Sequence, residues 1–134
     1  MPDPFRSNFL LIPVSLLSLL SGGAITGLQV IWMRQAGFFS GDTADTAAWV
    51  VGGFFIAAAI GNRIGSFLTT WKLTPLLVYG CLEIAAGTLA LSLTQALSTD
   101  LLPTRHPALF AIAYCALPSL ASGAGTPFII KAIA

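Results

Sequence analysis

Two ionisable residues, Arg63 and Glu83, each stand alone in a long apolar segment, and they are the first residues whose chemistry needs explaining. A charge at the centre of a bilayer costs about 2.5–3.5 kcal/mol on insertion scales, so such residues usually face protein. This pair could relay a proton or cation, or it could fix the register of two helices. A single pair supplies no path through a bilayer, which favours the structural role. Counted from a turn near Lys72, each residue lies about 15 Å along its helix. We therefore predict that Arg63 and Glu83 form an intramembrane ion pair across a hairpin.

The remaining reactive residues do not assemble into a known catalytic or metal-binding pattern. His106 is the single histidine, and it could ligate a metal or a pigment or form a hydrogen bond at the membrane edge. Cys81 and Cys115 have neither the pairing nor the spacing of zinc or redox motifs. No serine, histidine and acid converge on one loop, so hydrolytic chemistry has no support. We predict a protein that is not an enzyme and that has no metal and no cofactor.

The composition indicates a membrane protein. Hydrophobic residues make up 56% of the chain and charged residues only 8%, and the mean hydropathy is +0.88. Soluble domains average about 25% charged residues, so this chain lacks the polar surface that water requires. The net charge of +1 also argues against a nucleic-acid partner, because phosphate-binding surfaces need clustered lysine and arginine.

The hydropathy pattern predicts an all-α integral membrane bundle of four transmembrane helices, forming a single domain over residues 1–134. A crossing needs about 20 predominantly apolar residues, so four spans use nearly the whole chain and leave no room for a soluble catalytic domain. The first apolar run is too long for the core of a signal peptide. The predicted spans are about 9–33, 47–70, 75–97 and 107–131. The last of them contains Pro118, Gly123 and Pro127, which predict a kinked or broken helix.

Small residues and interfacial residues indicate how these spans pack and where they leave the bilayer. Two glycine pairs at four-residue spacing form faces on which another helix can approach closely. They are Gly23 with Gly27, and Gly61 with Gly65. Tryptophan and arginine near span ends suit the interface, where an apolar body meets a polar tip. The predicted interface anchors are Trp32, Arg34, Trp49 and Trp71.

The basic residues predict the orientation. In a four-span arrangement one side of the membrane carries Arg6, Arg63, Lys72 and Lys131. The other side carries Arg34 and Arg105, together with three aspartates. The positive-inside rule then places both termini in the cytoplasm of a multi-pass protein, with a bacterial inner membrane as the expected location.

Several of these residues carry a family resemblance. The pieces are Gln29-Val30-Ile31-Trp32-Met33-Arg34, Phe54 with Gly61 and Gly65, Pro75 with Glu83 and Gly87, and Pro118 with Gly123 and Pro127. Over nearly its full length the chain resembles the polytopic membrane region that precedes the catalytic domain in membrane-bound spermidine synthase-like proteins, which are polyamine aminopropyltransferases. The resemblance implies a small bundle similar to part of a transporter-like fold.

The chain departs from that family in two ways. Ala57 and Asn62 stand where the family tends to have glycine and serine, which affects only local packing. The catalytic half has no counterpart in this sequence. The one glycine-rich candidate, Ser122-Gly123-Ala124-Gly125, lacks the preceding strand and the downstream acidic residue that a dinucleotide-type loop requires. Polyamine synthesis is therefore not implied for this chain.

Three functions follow from this pattern. The first is a non-catalytic structural or accessory subunit that packs into a larger membrane complex of respiratory or photosynthetic type, with the lipid bilayer and other membrane subunits as partners. The second is a small oligomeric transporter whose polar path uses Glu83, Arg63 and the interrupted last span. The third is a membrane anchor for an aminopropyltransferase-like partner.

Overall fold

The computed structural model describes residues 4–40, 44–72, 74–98 and 107–133. Within these residues the chain is all-helical and contains no strand. Four α-helices follow one another: α1 (Pro4–Ser40), α2 (Ala44–Leu68), α3 (Pro75–Ser98) and α4 (Pro107–Ile133). Three stretches are long and apolar enough to cross a membrane, namely Leu11–Phe38, Ala44–Leu68 and Pro75–Ser92.

Local sequence explains most of the helix boundaries. Both α3 and α4 begin at a proline, whose fixed backbone angle suits the first turn and whose missing N–H is not needed there. The backbone turns more tightly at the end of α2, where the Thr70 amide donates to the carbonyl of Phe67, three residues earlier, at 3.2 Å. Helix α1 extends beyond the predicted span at both ends. Its 37 residues correspond to about 55 Å.

Helix α4 is continuous through Pro118, Gly123 and Pro127, so the span is not broken there, and the kink expected at these residues stays a prediction. Both prolines lie inside one α-helix that runs through to Ile133. A proline removes only one intrahelical hydrogen bond, and tight packing can compensate for it in an apolar bundle. Pro118 itself is fully buried, so neighbouring helices hold this stretch in place.

Helix α4 is the centre of the fold. It packs against α1, α2 and α3, whereas the backbones of α2 and α3 do not approach each other closely among the described residues. The neighbours in sequence therefore do not form the expected hairpin, because α4 lies between them. Most of the buried hydrophobic side chains are small, and α4 contributes Cys115, Ala121, Ala124 and Phe128 to the core.

Helices α2 and α4 run parallel and pack through glycine. A Cβ atom added to Gly61 would overlap the Leu120 carbonyl, and one added to Gly65 would overlap the Ala124 carbonyl. From the other side, a Cβ on Gly123 would overlap the backbone of Ala58. The two backbones thus approach as closely as only glycine allows. Gly61 and Gly65 therefore lie at the contact between α2 and α4, and the sequence predicts them as helix-packing residues.

The parallel arrangement brings the carboxyl ends of α2 and α4 together. The Lys131 amine donates to the Thr69 carbonyl at 2.5 Å and lies 3.5 Å from the Trp71 carbonyl. A cation close to the last carbonyls of a helix interacts favourably with its dipole. Lys131 and the exposed Lys72 therefore mark the same end of the bundle.

Candidate functional site

The structure does not bring Arg63 and Glu83 together. They belong to α2 and α3, which α4 separates. Arg63 is exposed and lines an open groove with Ile64, Ser66 and Phe67. The prediction of an ion pair is therefore wrong, because it rested on the two helices being direct neighbours in space.

The positions of the two residues along their helices explain how each charge is accommodated. Arg63 lies about 7.5 Å before the end of α2, and Glu83 about 12 Å after the start of α3, at 1.5 Å per residue. An arginine this close to a helix end can extend its guanidinium to the interface while its stem stays in apolar surroundings. Glu83 lies deeper and is half-buried, so it needs partners from the protein.

Those partners come from α1. The Ser21 hydroxyl donates a hydrogen bond of 2.6 Å to the Glu83 carboxyl oxygen Oε2. This length is typical of a hydroxyl donating to a charged oxygen. The bond joins residues 62 positions apart in sequence, so it fixes α1 against α3 at one defined register.

Tyr79 and Ser18 complete this polar cluster. Tyr79 lies one helical turn before Glu83 on α3, is only 4% exposed, and interacts with Ser18, Ser21 and Glu83. We call Ser18, Ser21, Tyr79 and Glu83 the Glu83 cluster. It gathers one carboxyl and three hydroxyl groups inside a bundle that is otherwise almost entirely apolar.

A glycine of α4 makes room for the Glu83 cluster. A Cβ on Gly125 would lie 3.0 Å from the Tyr79 ring atom Cδ2 and 3.9 Å from the Glu83 oxygen Oε1. The missing side chain at this position lets the tyrosine ring and the carboxyl pack directly against the α4 backbone. Three helices therefore build the site, with α4 closing it.

The sequence did not identify Ser18, Ser21, Tyr79 or Gly125 as site residues. Ser15, Ser18 and Ser21 recur at three-residue spacing within the first apolar run, which places polar groups along one side of a helix. That spacing indicates a polar stripe on this helix. What it could not reveal was the helix that faces these hydroxyl groups.

The predicted interface anchors divide into two groups. Trp49 is 68% exposed and Trp71 is 55% exposed, and Arg34 is also exposed, so all three can reach an interface. Trp32, by contrast, is 1% exposed. The anchor prediction for Trp32 is wrong, because this face of α1 is covered by other helices rather than by headgroups.

The other predicted glycine pair has no packing partner in the part of the chain that the structure describes. Nothing lies within 4 Å of a Cβ placed on Gly23 or Gly27. These residues belong to an outward-facing surface with large exposed side chains on either side. We call this surface the α1 outer face, and it comprises Leu16, Leu20, Gly23, Gly27 and Ile31.

Among the described residues no group of three or more histidine, cysteine, aspartate or glutamate side chains could hold a metal ion. Cys81 is exposed and Cys115 is buried, and both are free thiols. The expectation for His106 concerns a residue outside the described ranges.

Comparison with known proteins adds no assignment, since no family model, curated protein or solved structure matches this chain. The resemblance to the membrane region of spermidine synthase-like proteins stays a prediction from sequence.

Proposed function

We propose that this chain is a four-span, non-catalytic subunit of a larger membrane complex, and that it binds a neighbouring membrane helix through the α1 outer face. The observation that carries this proposal is the uncovered pair Gly23 and Gly27. Both termini lie in the cytoplasm under this proposal, because Arg63, Lys72 and Lys131 gather towards one end of the bundle. The expected setting is a bacterial inner membrane.

The interior of the protein supports this use of the α1 outer face. Gly61 and Gly65 have the same four-residue spacing as Gly23 and Gly27, and the backbone of α4 packs directly against them. Gly23 and Gly27 offer a second notch of this kind, between the exposed side chains of Leu20 (63% exposed) and Ile31 (47% exposed). Helix association in lipid depends on such close packing, since lipid tails are as apolar as leucine.

The high exposure of α1 also supports a partner on this helix. Only 6% of the most apolar window of α1 is buried, against 22% for α2 and 17% for α3. A helix about 55 Å long that contributes so little to the core of its own chain has a large surface available to a partner. This surface is apolar in its middle and ends at Arg34.

Substitution of Gly27 by leucine tests the proposal. The chain, tagged and extracted from its native membrane in mild detergent, should have the mass of a defined hetero-complex. Gly27→Leu should fill the notch and weaken the association by about 2 kcal/mol or more, leaving the chain alone in native mass spectrometry. Its own fold should be unaffected, because no other helix in the described part of the chain comes within 4 Å of the added Cβ.

Gly87→Leu is the matched control, since Gly87 is an exposed glycine on α3 with the same open surroundings. It should leave the complex intact. A wild-type chain that runs as a monomer, or a hetero-complex that survives Gly27→Leu, would contradict the proposal.

A small oligomeric transporter is the second candidate, and the Glu83 cluster favours it. Intramembrane carboxyl groups often mark the path of a proton or ion. Under this alternative, purification yields a homo-oligomer, and Glu83→Gln abolishes flux without changing protein abundance. A subunit of a complex instead loses assembly or abundance in the same variant.

A further inference from the structure

We propose that the Glu83 cluster binds one small monovalent cation, H⁺ or Na⁺, in the interior between α1, α3 and α4. The inference is independent of the partner bound by the α1 outer face. It rests on the charge balance around Glu83 and on the oxygen atoms that surround the carboxyl.

The charge on the Glu83 carboxyl requires a positive counter-charge. An ionised carboxylate in apolar surroundings is costly unless a positive charge accompanies it. Among the described residues no lysine or arginine lies within ion-pair distance of Glu83: Arg63 is on the far side of α4, and Lys131 is engaged with the turn after α2. The positive charge must therefore come from solution, as a proton or as a bound cation.

The groups around Glu83 are consistent with either ion. Helix α1 contributes the Ser21 hydroxyl against the carboxyl and the Ser18 hydroxyl against Tyr79, α3 contributes the Tyr79 hydroxyl, and α4 contributes the bare backbone at Gly125. Tyr79 is the one other titratable group in the cluster. Cys115, on α4, lies about 15 Å along the helix from Gly125.

The available oxygen atoms match the needs of a hard cation. Such ions prefer carboxylate, hydroxyl and carbonyl oxygens. Ser21 donates its proton to Oε2, and its oxygen has lone pairs that can coordinate an ion. Ser18 and Tyr79 supply two further hydroxyl groups, whose protons can rotate so that an oxygen lone pair faces an ion. H⁺ and Na⁺ compete for the same carboxyl, so occupancy by one excludes the other.

Dicyclohexylcarbodiimide tests this site, because it is apolar and modifies protonated carboxyl groups. In the purified full-length chain, Glu83 should be labelled, and labelling should slow as the pH rises. At fixed pH, about 100 mM NaCl should slow it about fivefold relative to N-methylglucamine chloride, since a competing ligand protects by mass action. Asp45, an exposed carboxyl at the start of α2, should stay essentially unlabelled.

Ser21→Ala isolates the contribution of the ligand hydroxyl. It should raise the half-protecting Na⁺ concentration about tenfold, as expected for loss of about one good polar contact. Ser66→Ala, an exposed serine outside the cluster, should leave it unchanged. Labelling that depends on pH but not on Na⁺ supports the proton as the occupant, and the Ser21→Ala variant should then shift the pH dependence.

Any one of three results would overturn the proposal. Glu83 could stay unlabelled at every pH, which would mean that a protein cation pairs with it permanently. Alternatively, labelling could be independent of both pH and Na⁺, or Ser21→Ala could leave both dependences unchanged. In either of these cases the four side chains would not act as one cation site.

Discussion

Gly61→Leu should destabilise the bundle by about 3 kcal/mol or more, since overpacking a tight contact forces the backbone apart. The added Cβ alone would overlap the Leu120 carbonyl, and Leu120 backbone atoms cannot move aside as a flexible side chain can. The expected result is lower helical content and a lower unfolding free energy when the detergent-solubilised protein is titrated with a denaturing detergent and followed by circular dichroism.

Gly52→Leu is the matched control on the same helix. Nothing lies within 4 Å of a Cβ at Gly52, and leucine has a better helix propensity than glycine by about 0.8 kcal/mol. This variant should therefore be as stable as the wild type or slightly more so. Equal losses in the two variants would show that α2 does not pack against α4 through Gly61.

Trp32→Ala should cost about 3 kcal/mol or more, within the range for truncation of a buried aromatic residue. Trp32 is among the largest fully buried side chains in the described part of the chain. Its indole nitrogen Nε1 is buried without a hydrogen-bond partner there. Trp32→Phe should therefore be much milder, because it keeps the ring packing and removes an unpaired donor.

Trp49→Ala provides the comparison. At 68% exposure the side chain leaves no internal cavity when it is truncated, so the change should stay within about 0.5 kcal/mol. Both tryptophans stand near the ends of apolar segments. A loss at Trp49 as large as that at Trp32 would contradict the burial that distinguishes them.

The sequence was sufficient to predict the helical architecture. Long apolar runs separated by polar stretches produce four helices in the order found, and prolines at 75 and 107 mark two of their starts. The glycine spacing at Gly61 and Gly65 also predicted a close helix contact. These are local properties, in which each residue acts through its own helix.

The arrangement of the helices could not be predicted in the same way. A short turn between α2 and α3 suggested that they pair, yet α4 lies between them. Apolar helix faces differ little from one another in a chain with so few charged residues, so sequence proximity is a poor guide to contact. Sequence proximity therefore predicts a pair between Arg63 and Glu83, whereas Glu83 binds Ser21, which is far away in the chain.

The same lack of tertiary information affected the small and aromatic residues. Gly23 and Gly27 have the same spacing as Gly61 and Gly65, but among the described residues only the second pair has a packing partner. Trp32 has the composition and position of an interface anchor and is nevertheless buried. Spacing tells which residues share a helix face, but it does not tell which helix, if any, covers that face.

Sidedness labelling tests most directly whether the helices cross a membrane with the carboxyl ends of α2 and α4 on one side. Single cysteines are introduced as Lys72→Cys, Lys131→Cys or Asp45→Cys, with Cys81 and Cys115 replaced by alanine. A membrane-impermeant maleimide should label the first two variants only in inverted vesicles and the third only in intact spheroplasts. Labelling of all three from the same side would contradict the account.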